Sequence, residues 1–332
     1  MHLTLNPVPP FDFQLSATIF TGGDPQIRTY EHGTFWQVLR VQSNLVLVTI
    51  SSRGTVAEPE LSVELRSNEE LSSADENRLE EAVSKLFNLQ LDLNPFYAEV
   101  EHDPVLSLLT QKLSGLKSTT TPTVFEALVD SIIEQQIALN VAHRLEQTVI
   151  KRFGDTLGLS GKVYYAFPTP EQIASATVEQ LRMCGLSMRK AEYIHGIASS
   201  IVTGKLDLEH VKACEDADEI IRELTNLRGI GRWTAELTML RGMQRLDALP
   251  ADDLGLRRHI AHFYCHDRPI TGTEARHIAE GWGRWKGLAG FYMLIGVRLG
   301  SNSRNPAARS YSTADKDLCP FGTDNVFSIS HK

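Results

Sequence analysis

Two adjacent carboxylates, Asp252 and Asp253, end a Leu249-Pro250-Ala251 turn and open a helical run with Leu254 and Leu256. A carboxylate at a helix start can simply cap the helix. Held next to a carbon that gains positive charge, it can also stabilise that charge and orient a water. Upstream stands Arg228-Gly229-Ile230-Gly231. Before it, Ile220, Ile221, Leu224 and Leu227 recur at helical spacing behind Asp216 and Glu219, an N-cap pair; after it, Trp233 to Met243 is apolar-periodic again. Two helices joined by a Gly-x-Gly hairpin collect backbone N–H groups at the start of the second helix, and with the helix dipole these suit one phosphate. The glycines let a strand approach closely, because no Cβ stands in the way.

The elements that must position these residues can be read in chain order. Residues 1–93 read as a small α+β domain. Val38 to Ile50 alternates around a turn at Ser43-Asn44, Leu61 to Leu65 alternates again, and Ala74 to Leu89 is an amphipathic helix with Leu79, Ala82, Val83 and Leu86 on one face. Residues 94–304 read as all-α. Thr123 with Glu126 caps a helix carrying Phe125, Leu128, Val129, Ile132 and Ile133, which runs into Glu134-Gln135-Gln136-Ile137. A helix with Ala142, Leu145, Val149 and Ile150 ends near Gly154, and capped starts recur at Thr169-Pro170, at Thr177 with Gln180, and at Ser187. Residues 305–332 are polar and aperiodic, an extension expected to be partly ordered at best. The predicted class is α+β: a small antiparallel-sheet domain, then a mainly helical region of two subdomains with a cleft between them.

At 332 residues one to three domains are expected. The net charge of −8 argues mildly against a nucleic-acid binder, but binding needs only a local basic face. Arg228, Arg232, Arg241, Arg245, Arg257 and Arg258 outnumber Glu236, Asp247, Asp252 and Asp253 along the stretch that would bind. Cys184, Cys214, Cys265 and Cys319 form no C-x-x-C, so neither a zinc ribbon nor an iron–sulfur cluster is supported. His259 and His262, one turn apart, read as ordinary helix positions. With no signal peptide or membrane-length apolar run, a cytoplasmic location without a membrane partner is expected, and the chain is expected to be a monomer.

LRGIGRWTA, followed by a Pro-containing turn and Asp, resembles the helix-hairpin-helix/Gly-Pro/Asp superfamily of base-excision DNA glycosylases, and GIGRWTA is most similar to its 3-methyladenine DNA glycosylase II branch. PPFDF and KLFNLQLDL resemble that branch's N-terminal domain, and FPTPEQIASATVEQLRMCGLSMRKAEYI its central region. The resemblance implies a helical fold that flips a damaged base out of double-stranded DNA and cuts its N-glycosidic bond. It implies Asp253, aligned through Leu254-x-Leu256, as the catalytic carboxylate for an oxocarbenium-like sugar; Asp252 is its neighbour and rival. Lyase-type relatives carry a Lys at the place of Trp233, so a monofunctional enzyme is implied. Trp233 would instead be a stacking wall for an electron-poor alkylated base, or a core aromatic.

Leu237, Leu254 and Leu294 align where other members have pocket aromatics; Trp282, Trp285, Phe291 and Tyr292 could compensate, and Phe20 is the nearest pocket candidate from the N-terminal domain. Gln136, with Gln135 beside it, matches the side chain inserted into the space of the flipped base, or both are polar residues at a helix end. Gly229, Gly231 and Thr234 match backbone donors to phosphate. Arg232 and Lys286 are further phosphate contacts or solvated surface. The carbonyls of Thr225, Leu227 and Ile230 match a structural Na⁺ or K⁺ site, with no cofactor required for the chemistry. The implied substrates are 3-methyladenine and 7-methylguanine; hypoxanthine, ethenoadenine and 1-methyladenine stay open. A non-catalytic helix-hairpin-helix DNA binder and a glycosidase of free nucleosides are the other readings.

Overall fold

Alternating apolar residues make the N-terminal segment a sheet. β1 (His2–Leu5), β2 (Arg28–Glu31), β3 (Thr34–Val41), β4 (Asn44–Ser52) and β5 (Leu61–Arg66) pair antiparallel in the order β1-β5-β4-β3-β2. The structure, a computed structural model, describes residues 1–302. Val41 pairs with Asn44, so the β3–β4 turn is Gln42-Ser43, one residue earlier than the sequence suggests, with Gln42 at φ +52. One face of the sheet packs Phe35, Val48, Ile50 and Val63 against α1 (Phe13–Ala17) and α2 (Ser73–Leu86) through Phe13, Leu79, Val83 and Phe87. Each such side chain removed from water contributes about 1.5–3 kcal/mol. Helix α2 starts in a Ser72/Asp75 capping box and ends at Leu86, short of Leu89, because Asn88 turns left-handed at φ +49.

Beyond residue 93 come α3 (Asn94–Glu99) and α4 (Pro104–Lys112), then α5 (Val124–Glu134) and α6 (Leu139–Phe153). The all-α expectation for residues 94–304 is corrected at the next element. β6 (Thr156–Leu159) and β7 (Lys162–Tyr165) form a second hairpin, turned by Ser160 and Gly161, both at positive φ. Its Leu157, with Ala166 just beyond β7, packs on Val38 and Leu47, covering part of the sheet's other face. Further helices come next: α7 (Pro170–Ser175), α8 (Val178–Arg182), α9 (Met188–Val202), α10 (Leu208–Ala213) and α11 (Ala217–Thr225), each with a side-chain N-cap, then α12 (Arg232–Gly242), α13 (Leu254–Tyr264), α14 (Gly272–Ala279) and α15 (Lys286–Asn302). The chain is α+β, with a small antiparallel sheet and a mainly helical remainder.

The chain divides into two units. One comprises residues 1–93 and 115–248, the other 94–114 and 249 onward. The helical core of the first unit gathers Phe125, Leu128, Ile132, Ile194, Leu224 and Met239. Its helices are tied to β2 by a buried ion cluster: Arg28 bonds Glu126 at 2.6 Å and Glu146, with Asp130 at 3.6 Å. Burial pushes the Glu126 carboxyl up to about 7, against the pull of Arg28 and with the push of Glu146. Burial likewise raises Asp130, and the charge of Glu146 adds to it.

In the second unit, Phe96 packs on Trp285 and Tyr292, with ring centroids 5.8 and 5.2 Å away, and Trp282 packs on Tyr264 at 5.8 Å. The Tyr264 hydroxyl donates to both Asp103 oxygens, at 2.8 and 2.9 Å, and Asp103 also caps α4. No described helix is long and apolar enough to cross a membrane. The partly ordered extension expected at 305–332, and Cys319 within it, lie outside the described residues.

Candidate active site

Helix α11 starts at Asp216, whose Oδ1 accepts from the amides of Asp218 and Glu219, and buries Ile220 and Leu224. The chain then turns through Gly229 and re-enters helix at α12. The two glycines differ in physical role. Gly229 stands at φ +90, and a Cβ there would lie 2.1 Å from Tyr193 Cδ2, so the fold itself requires glycine. Gly231 has φ −94, and a Cβ there would meet nothing within 4 Å, so nothing inside the fold explains it. It is exposed and is the N-cap of α12, yet no side chain caps this helix. The first-turn amides of α12 thus lack the oxygen that Thr123, Thr169, Ser187 and Asp216 supply to their own helices.

Gln135, at the end of α5, locks this hairpin. Its Nε2 donates to the Gly229 carbonyl and to Thr234 Oγ1, both at 3.0 Å. Gln136 is exposed, at φ +57, beside the exposed Ile137 and Leu139. The two glutamines that the sequence leaves equivalent are therefore distinct: one is a strut, the other a projecting tip. Trp233 is half-buried and Leu237, one turn on, is buried; the Trp233 indole N–H is buried with no partner among the described residues. Sequence reasoning missed Tyr193, which supports Gly229, and the bracing role of Gln135. No local signal marks either, since their partners lie far along the chain.

The locally basic stretch is largely neutralised. Arg228 pairs with Glu192 (3.0 Å), Arg232 with Glu236 (2.8 Å), Arg241 with Glu134 (2.6 Å) and Arg245 with Asp247 (2.7 Å). The local excess of positive charge is smaller than the sequence count suggests: folding brings Glu192 and Glu134 from outside the stretch to Arg228 and Arg241. Arg232 remains half exposed despite its pair.

In the second unit, Asp253 caps α13. Its Oδ1 accepts from the Leu256 amide at 2.8 Å, and its own amide donates to the Pro250 carbonyl at 2.9 Å. Among the described residues no basic side chain pairs with it. Asp252, by contrast, bonds Arg276 at 2.7 Å, and its Oδ1 sits where a Cβ on Gly272 would fall. Folding thus separates the adjacent carboxylates: Asp252 is held in an ion pair, and Asp253 is oriented by backbone alone. Leu254 is 62 % exposed beside it, and Leu294 is half-buried on α15. His259, within the same helix, is lowered by burial, partly offset by Asp253. His262 does find an acid, Asp267, at 2.7 Å.

Phe20 and Trp285, expected as pocket walls, both pack against other rings, Phe20 half-buried and Trp285 buried. Phe20 sits 4.8 Å from Phe35 and 6.3 Å from Phe87 in the sheet core. Trp285 is buried against Phe96 with the Arg284 guanidinium 4.7 Å over its ring, and Trp282 and Tyr292 are buried too. At the hairpin, the Leu227 carbonyl accepts the Ile230 amide at 3.1 Å, while those of Thr225 and Ile230 accept no hydrogen bond among the described residues. No group of three or more His, Cys, Asp or Glu suited to a metal occurs among the described residues.

The HhH-GPD superfamily of base excision DNA repair proteins matches residues 129–284. A DNA-3-methyladenine glycosylase of Bacillus subtilis is 35% identical over 211 residues, 64% of this chain and 69% of the relative. DNA-3-methyladenine glycosylase 2 of Escherichia coli is 28% identical over 62% of this chain and 67% of its own. The chain belongs to the HhH-GPD superfamily. Within it the chain falls among the 3-methyladenine DNA glycosylases and is a hydrolase of N-glycosyl bonds. A solved 3-methyladenine DNA glycosylase from Archaeoglobus fulgidus superposes with a TM-score of 0.79 at 29% identity, covering 89% of this chain and 98% of that one. The similarity to that structure thus extends beyond the matched family region, over most of the chain.

Proposed function

We propose that this HhH-GPD chain is a monofunctional DNA glycosylase that flips alkylated bases from duplex DNA and releases them by hydrolysis. The observation that carries this reading is the contrast at residues 252 and 253. Asp252 is held by Arg276, while Asp253 is fixed by one amide and left without a counter-ion among the described residues. A preoriented, uncompensated carboxylate is what a cationic, oxocarbenium-like sugar needs, and its second oxygen can order the attacking water. The α12 amides and Gly231 grip one phosphate, with Thr234 and Arg232 as further contacts. Gln136 fills the space the base leaves. Trp233 and Leu237 receive the base, and the face of Trp233 favours a cation such as 3-methyladenine or 7-methylguanine. The carbonyls of Thr225, Leu227 and Ile230 would hold a Na⁺ or K⁺ that stiffens the hairpin without entering the chemistry.

Trp233 has no amine, so the chain forms no Schiff base with the sugar and leaves the abasic strand uncut. Duplexes with single lesions test this. Free methylated base should appear with the strand intact, and borohydride should trap no covalent adduct. A trapped adduct overturns the monofunctional assignment, and absence of base release leaves only a DNA-binding protein. Release from free nucleosides that duplex DNA does not inhibit would indicate a nucleosidase instead.

A further inference from the structure

Lys190 lies in the first turn of α9, where its amide donates to the Ser187 hydroxyl at 3.3 Å. Among the described residues its ammonium meets no carboxylate. It donates instead to two carbonyls at the end of α5, those of Ile133 and Gln135, both at 2.8 Å. Burial lowers its pKa. The last carbonyls of a helix have no partner within it, and a cation there satisfies them and suits the dipole. The carbonyl of Gln135 is also the last one before Gln136, whose φ of +57 is unfavourable for a side chain with a Cβ. Such a conformation persists only where its surroundings hold it. Lys190 holds the turn through the backbone, and the side chain of Gln135 holds it to Gly229 and Thr234. Tyr193, also on α9, lies beneath Gly229. One helix therefore braces both the projecting glutamine and the phosphate hairpin.

We propose that Lys190 is a positioning residue for base excision: through the Ile133 and Gln135 carbonyls it fixes the turn that presents Gln136 to the duplex. This rests on the reading of Gln136 as the residue that occupies the space of the flipped base. Lys190 touches neither sugar nor base, so its effect should pass through Gln136.

A double-mutant cycle with the full chain on a single-lesion duplex, read as single-turnover excision rate, tests this. Loss of two charge-assisted bonds predicts that Lys190→Met slows excision by about tenfold. In a Gln136→Ala background the same change should add almost nothing, and Lys190→Arg, which keeps donors for the two carbonyls, should restore most of the rate. If Lys190→Met slows both backgrounds equally, its role is merely structural and the proposal is overturned. A wild-type rate in Lys190→Met, with Gln136→Ala slowed, overturns the proposal alone. A wild-type rate in Gln136→Ala overturns the reading of Gln136 itself. Thermal melting accompanies each variant, and should Lys190→Met not fold, Lys190→Gln runs the same cycle.

Discussion

The two hairpin glycines can be told apart by substitution. Alanine at Gly229 must adopt φ +90 and place a Cβ 2.1 Å from the Tyr193 ring. Left-handed strain and overpacking together should cost about 2–5 kcal/mol of stability. Serine at Gly231 meets no atom and occupies an N-cap at φ −94, ψ 174, which suits it. Its stability should stay within about 0.5 kcal/mol of the parent or rise slightly. Its hydroxyl, however, would cap the α12 amides and fill the approach to them. Losing one charge-assisted bond to phosphate costs about 1.5–3 kcal/mol, roughly a ten- to 150-fold weaker Kd. Urea unfolding measures the first quantity, and fluorescence anisotropy with an abasic-analogue duplex at fixed salt measures the second. Unchanged affinity in Gly231→Ser would refute the phosphate assignment, and full stability in Gly229→Ala would refute the packing argument.

Three further outcomes are expected. Because Glu126 is raised from an ordinary 4.5 to about 7, the folded chain holds a proton there that the unfolded chain has released, so this cluster's contribution to stability is full below about 4.5 and falls as pH rises through about 7. Thermal melting across that range should show the decline, and a Tm that rises steadily from pH 4.5 to 7.5 in parent and Glu126→Gln alike would contradict it. Removing the central cation in Arg28→Met leaves buried carboxylates uncompensated and should cost about 3–5 kcal/mol at neutral pH by urea unfolding, a loss that lower pH reduces. Trp233→Leu should lower excision of 3-methyladenine relative to hypoxanthine by about two- to thirtyfold, since only the cationic base loses a cation–π contribution of about 0.5–2 kcal/mol; equal losses for both bases would count against that role.

What the sequence made legible was local. The caps at Thr123, Thr169, Thr177, Ser187 and Asp216 are present, as are the β3–β4 hairpin and the break at the hairpin glycines. These depend on residues within a turn of one another. The β6–β7 hairpin was missed although Ser160-Gly161 between short apolar runs is a turn signal, because helical periodicity dominates on either side of it. What decided the site was not local. Asp252 meets Arg276, Gln135 meets Gly229, and Arg241 meets Glu134 only after folding. The same long-range pairing neutralised charges that a count along the chain took for a basic face. Phe20 and Trp285 likewise found core partners, Phe35 and Phe96, that spacing does not reveal.

In the proposed mechanism Asp253 does the chemistry while Asp252, paired with Arg276, holds the fold. Single-turnover base release by Asp253→Asn and Asp252→Asn on the same lesion duplex measures it, with abasic-duplex affinity recorded beside each rate. Asparagine caps a helix about as well as aspartate, so α13 should survive the first change. Asp253→Asn should slow release by roughly a thousandfold with affinity nearly intact, whereas Asp252→Asn should stay within a few-fold of the parent. A parent-like rate in Asp253→Asn, or a collapse of release in a folded Asp252→Asn, would contradict the claim.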